Sequence, residues 1–101
     1  MRFTVIPFGQ ALPRGSAGIG EIVVYQWSID GIGADEAWRV VVEVEPAVLS
    51  PSSFEIEGRG SKSDLARFEA TAPGDAQVRF TAYCGADVQI GQPLIRVTSE
   101  A

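Results

Sequence analysis

Cys84 is the one thiol in a chain that contains no histidine. A nucleophilic Ser or Cys needs a His base beside it, so dyad and triad chemistry is excluded by residue type. A zinc site is excluded in the same way, because a single Cys cannot supply several ligands. Paired carboxylates remain: Glu43 with Glu45, and Glu55 with Glu57, are the residue types that cleave glycosidic bonds. Residues two apart on a strand point the same way, however, and a solvated outer face accounts for both pairs more simply. Asp30, Asp35 and Glu36 are close in sequence, but their spacing matches no EF-hand loop. Gly15-Ser-Ala-Gly18-Ile-Gly20 has the glycines of a phosphate loop, yet the strand Glu21-Ile-Val-Val follows where a helix N-terminus is required. No catalytic residue, metal or cofactor is expected.

Side chains that bind rather than react are the next class. Trp27 and Trp38 fall on apolar faces of strong strands and read as core, as does Cys84, which alternates with Val78 and Phe80. Tyr83 shares the polar face of its strand with Arg79 and Thr81, which makes Tyr83 and Arg79 candidates for partner contact. Ile22 and Val24 form a second candidate pair, since they occupy the face opposite Val23, Tyr25, Trp27 and Ile29 and are too apolar for a purely solvated surface. If that strand lies at a sheet edge, a partner strand or second subunit can add there.

The elements that position these residues have a hydrophobic period of two. Arg2 to Phe8 is expected as a strand with Phe3 and Val5 on one face, and Pro7 suggests an edge. Gln10 to Gly20 reads as a loop. Val23, Tyr25, Trp27 and Ile29 form the inner face of the next strand, and Trp38, Val40, Val42 and Val44 that of its successor, which Pro46 stops. Phe54 and Ile56 face inward from a short strand, and Gly58 to Asp64 is an exposed connection. Ala66, Phe68, Ala70 and Ala72 form one inner row, and Val78, Phe80, Ala82 and Cys84 another. Gly85 to Gly91 reads as a hairpin connection carrying Val88 and Ile90, and Pro93 to Ser99 is the last strand. About seven short strands and no amphipathic helix predict an all-β, antiparallel two-sheet sandwich.

With 101 residues, 46% of them hydrophobic, the chain makes one domain, 1–101, that folds without metal or disulfide. Its net charge of -5 opposes nucleic acid and anionic membrane, and its cations are scattered singly. The N-terminal residues read as a strand rather than a signal peptide, and no run has transmembrane length. With one cysteine, these features lead us to expect a cytoplasmic, bacterial protein.

Phe68-Glu-Ala-Thr-Ala-Pro-Gly-Asp-Ala-Gln-Val-Arg-Phe80, followed by Tyr83-Cys-Gly-Ala-Asp-Val-Gln-Ile-Gly91, resembles the last strands of bacterial immunoglobulin-like domains. Val40-Val-Val-Glu-Val-Glu-Pro46 and Phe54-Glu-Ile-Glu57 are similar in the same way. The likeness is one of apolar spacing between Val40 and Thr98. The paired cysteines of antibody domains are absent, as is a tyrosine two residues before Cys84, where Ala82 stands. The resemblance implies an immunoglobulin-like accessory domain that docks other proteins. The expected function is therefore a non-catalytic interaction module, its partner another protein, another domain of its parent, or a second copy in a homodimer. The alternatives are a structural or decoration subunit of a bacterial or phage assembly, and a small-molecule or carbohydrate binder using exposed aromatics.

Overall fold

A computed structural model describes residues 1–8 and 16–99. Ten strands form among them: β1 (Arg2–Phe8), β2 (Ser16–Gly18), β3 (Ile22–Asp30), β4 (Ala37–Glu45), β5 (Leu49–Ser50), β6 (Ser53–Arg59), β7 (Lys62–Ala70), β8 (Gly74–Cys84), β9 (Asp87–Gly91) and β10 (Leu94–Thr98). One sheet has the order β1-β3-β7-β5, and the other β2-β10-β8-β4-β6, with β9 also on β8. All pairs are antiparallel except β2 with β10. β9 and β10 keep one register against β8, with Phe80 opposite Gly91 and Gln77 opposite Leu94. They are therefore a single strand interrupted at Gln92–Pro93, where proline has no N–H for the ladder. This is an all-β two-sheet sandwich with immunoglobulin-like strand order.

The alternation in sequence becomes the core directly. Val23, Tyr25, Trp27 and Ile29 from β3 meet Trp38, Val40, Val42 and Val44 from β4 and Val78, Phe80 and Ala82 from β8, all buried. Tyr25 packs edge-on against both Phe68 and Phe80, at centroid distances of 6.1 and 5.9 Å. Trp27 meets Trp38 edge-on at 5.5 Å, a favoured aromatic geometry. Trp38 Nε1 donates to the Gly60 carbonyl at 2.8 Å. Gly58 makes room for that ring: a Cβ there would lie 2.5 Å from Trp38 Cζ2. Tyr25 Oη and Trp27 Nε1 are buried and find no hydrogen-bond partner among the described residues.

Several expectations need correction. β3 is not an edge strand: β1 pairs with one side of it and β7 with the other along nearly its whole length. Strand addition at Ile22 and Val24 is thereby ruled out, because β3 has no free backbone edge. Within the expected 10–20 loop, Ser16–Gly18 pairs in parallel with β10, while residues 9–15, including Gly15 of the glycine-rich segment, lie outside the described residues. The Gly85–Gly91 connection contains the strand β9. Thr81 is buried despite its polar face, because Val41 and Ile90 flank it on the neighbouring strands. Pro7 does mark an edge, that of β1.

Candidate functional site

The outer face of the β2-β10-β8-β4-β6 sheet changes character from one edge to the other. Along β9 and β10, Val88, Ile90 and Leu94 point outward and are 49%, 55% and 70% exposed. Three large apolar side chains in one stripe exceed what scattered surface hydrophobics require. Ile90 continues inward through Thr81 to Val41. Val88 leads to Tyr83 and then to Arg39, whose guanidinium lies 4.9 Å from the Tyr83 ring centre. Beyond β4 the face turns acidic, with Glu55 and Glu57 on β6 and Arg39 Nη1 3.9 Å from Glu55. Two open depressions flank this surface. One of about 520 Å³ is bounded by Trp38, Arg39, Glu57 and Tyr83; the other, about 860 Å³, by Glu45, Gln77, Leu94 and Arg96.

The two edges of this sheet are built differently. β1 runs beside β9, and the Gln89 side chain joins them: its Oε1 accepts from the Phe3 amide at 2.9 Å and its Nε2 donates to the Met1 carbonyl at 2.6 Å. One carboxamide thus replaces a rung of ladder between the two sheets. Close approach is possible because position 91 is glycine; a Cβ there would sit 2.8 Å from Val5 Cγ2. Further along, β2 covers β10.

At the opposite edge, β6 pairs only with β4 among the described residues. The Gly60 amide donates to the Glu36 carbonyl at 2.9 Å, and the Val44 amide to Ser52 at 2.8 Å. These bonds fix Ala37–Arg59 and Glu43–Ser53 as non-hydrogen-bonded pairs. Alternation then aims the N–H and C=O groups of Phe54, Ile56 and Gly58 at β4, and those of Glu55 and Glu57 away from it. β7, the neighbouring strand of the other sheet, has part of its outer edge blocked, since the Asp64 carboxylate accepts from the Leu65 amide at 2.8 Å.

The four residues singled out from sequence therefore fall on two separate faces. Tyr83 and Arg79 lie on the face just described, Tyr83 half-buried beneath Arg39 rather than freely accessible. Ile22 and Val24 lie on the outer face of the other sheet, where Val24 is opposite Phe8 and Ile22 is 56% exposed. Sequence reasoning missed Val88, Ile90 and Leu94 as a stripe, and β6 as an open edge. A signal was present in Asp87-Val-Gln-Ile-Gly91, which alternates like a strand with its polar side chains turned toward β1. Cys84 is buried, and its thiol donates to Glu36 Oε2 at 3.5 Å. Burial and then that carboxylate push the thiol pKa upward, the opposite of a reactive cysteine. Among the described residues no three His, Cys, Asp or Glu side chains gather closely enough to hold a metal.

No protein-family model matches the chain, and no curated protein matches it. Among solved structures it is similar to the cupredoxin domain of amoB from Nitrosocaldus yellowstonii, at 14% identity and a TM-score of 0.49. That similarity spans 78% of this chain and 57% of the other, so the chain covers little more than half the length of its structural neighbour.

Proposed function

We propose that this chain is a non-catalytic protein-interaction domain that docks through the outer face of the β2-β10-β8-β4-β6 sheet. The observation that carries the reading is the exposed stripe of Val88, Ile90 and Leu94. Its rim of Tyr83, Arg39 and Arg79 has the aromatic and arginine composition of interface anchors. We extend the reading to an accessory role in a larger bacterial, cytoplasmic protein or complex, as the sequence suggests. A photo-crosslinking residue at position 90, compared with one at Glu69 on the opposite face, tests it in cells of the source organism. The reading predicts a saturable adduct with one defined protein at position 90, competed by free chain and abolished by Leu94→Asp. Equal labelling from both positions, or none from either, would count against it.

A second apolar group, Ile6, Phe8 and Ile22, lies on the far sheet. Two such faces favour the structural-subunit alternative, in which copies polymerise; light scattering that rises with concentration would distinguish it from a monomer or closed dimer. A carbohydrate platform loses its strongest candidates, since Trp27 and Trp38 are both buried.

A further inference from the structure

We infer that β6 is a strand-addition site for an extended segment whose side chains alternate between basic and apolar, a surface separate from the β9–β10 stripe. The inference rests on the reading of this chain as an interaction domain. Strand addition needs unpaired backbone groups on an accessible edge. β6 offers them at Glu55 and Glu57 along a seven-residue strand. The other edges are occupied or short: β1 is held by the Gln89 clasp and carries Pro7, β10 is covered by β2, β7 is blocked in part by Asp64, and the end strands β2 and β5 have only three and two residues. No proline interrupts β6, and no side chain caps it among the described residues.

The chemistry of the occupant follows from the two faces of β6. Outward, Glu55 and Glu57 are exposed, offset by Arg39, which lies 3.9 Å from Glu55 and opposite Glu57 on β4, and by Arg59 at the end of β6, whose Nη1 donates to the Asp35 carbonyl at 3.2 Å. A cross-strand neighbour there gains from being Lys or Arg. Inward, Phe54 and Ile56 are only half-buried, although they pack on the core, where Phe54 meets Phe68 at 5.9 Å. An apolar neighbour on that side would complete their burial. Period-two alternation delivers both from one extended segment.

A second copy of β6 fits poorly. Antiparallel self-pairing about a two-fold keeps outer face beside outer face. Registers that overlap most of the strand then set Glu57 against Glu57, Glu55 against Glu55, or Glu55 against Glu57. Like charges directly opposite are destabilising, so full overlap, which sets Glu55 against Glu57 twice, is disfavoured. Only the register with Glu57 against itself offsets the repulsion, by setting Glu55 against Arg59, and a basic strand is the better partner.

The test is an NMR titration of the isotope-labelled chain with a hexapeptide of alternating valine and lysine, alongside its valine–glutamate counterpart. The inference expects shifts centred on Phe54 to Glu57, with the lysine peptide at least roughly tenfold tighter. N-methylation of alternate peptide amides should abolish the effect, and Glu55→Lys with Glu57→Lys should reverse the charge preference. Shifts centred on Val88, Ile90 and Leu94 would overturn the inference while leaving the proposed function standing. Equal binding of both peptides, no binding at millimolar concentration, or a concentration-dependent dimer protecting β6 would each overturn it too. Failure of the crosslinking at position 90 would instead strike the proposed function.

Discussion

On one edge of the β2-β10-β8-β4-β6 sheet the backbone is covered and the side chains are apolar and exposed. On the other the backbone is open, and the outward side chains are acidic. The β9–β10 edge is stitched to β1 by Gln89 and to β2 by a parallel ladder, so only its outer face offers contact. β6 has no such cover among the described residues, and its carboxylates restrict what can add there. An edge is thus kept from promiscuous pairing either by occupying its hydrogen bonds or by charging its flank, and only the second device leaves it usable. A core common to both edges keeps them apart.

That core sets the largest expected effect. Phe80 is fully buried between the sheets, and Phe80→Ala should cost roughly 3–5 kcal/mol in urea melts. A cost under about 1 kcal/mol would break the register on which both edges depend. Next comes the Tyr25 phenol, whose pKa burial pushes up to about 12 from 10.0. The folded chain holds that proton more tightly than the unfolded one. Stability from this group is therefore intact below pH 10 and lost as pH rises from 10 to 12, by roughly 3 kcal/mol in all. The difference between wild type and Tyr25→Phe across that window isolates the effect. Near neutral pH the same substitution should be neutral or slightly stabilising, because the hydroxyl has no partner among the described residues.

Smaller effects separate the edges themselves. Gly58→Ala drives a Cβ into a Trp38 ring that its bond to Gly60 holds in place, so the open edge should lose about 2–3 kcal/mol in thermal or urea melts. Gly91→Ala meets Val5 at 2.8 Å and Phe3 at 4.0 Å on β1, which no backbone ladder joins to β9, and about 1–2 kcal/mol is expected. Equal costs would mean that the two edges are equally rigid. Smallest is Gln89→Ala, which should cost about 1 kcal/mol, speed amide exchange at Phe3 and leave β6 unchanged.

Much of this architecture was legible in the sequence, because burial on one face of a strand writes a period of two. Val23, Tyr25, Trp27 and Ile29, and equally Val78, Phe80 and Ala82, declared their faces without ambiguity. Lateral order was not legible. Ile22 and Val24 look like an exposed edge in sequence, yet β1 and β7 enclose their strand; outward apolar residues report a neighbour such as Phe8 as readily as solvent. β2 was lost because three small residues beside glycines carry no pattern, and its parallel partner lies far along the chain. Tyr83 looks free in sequence because Arg39, the cation that covers it, belongs to another strand. The β6 edge was invisible for the same reason: Glu55 and Glu57 show alternation, but only the ladder shows which backbone groups lack partners.

Amide hydrogen exchange on the unbound chain, repeated with the valine–lysine peptide, tests the open edge most directly. Glu55 and Glu57 should exchange rapidly while Ile56 and the Gln89-bound Phe3 amide stay protected, and the peptide should slow Glu55 and Glu57 selectively. Protection of Glu55 and Glu57 in the free chain, or exchange there that the peptide leaves unchanged, would contradict the account.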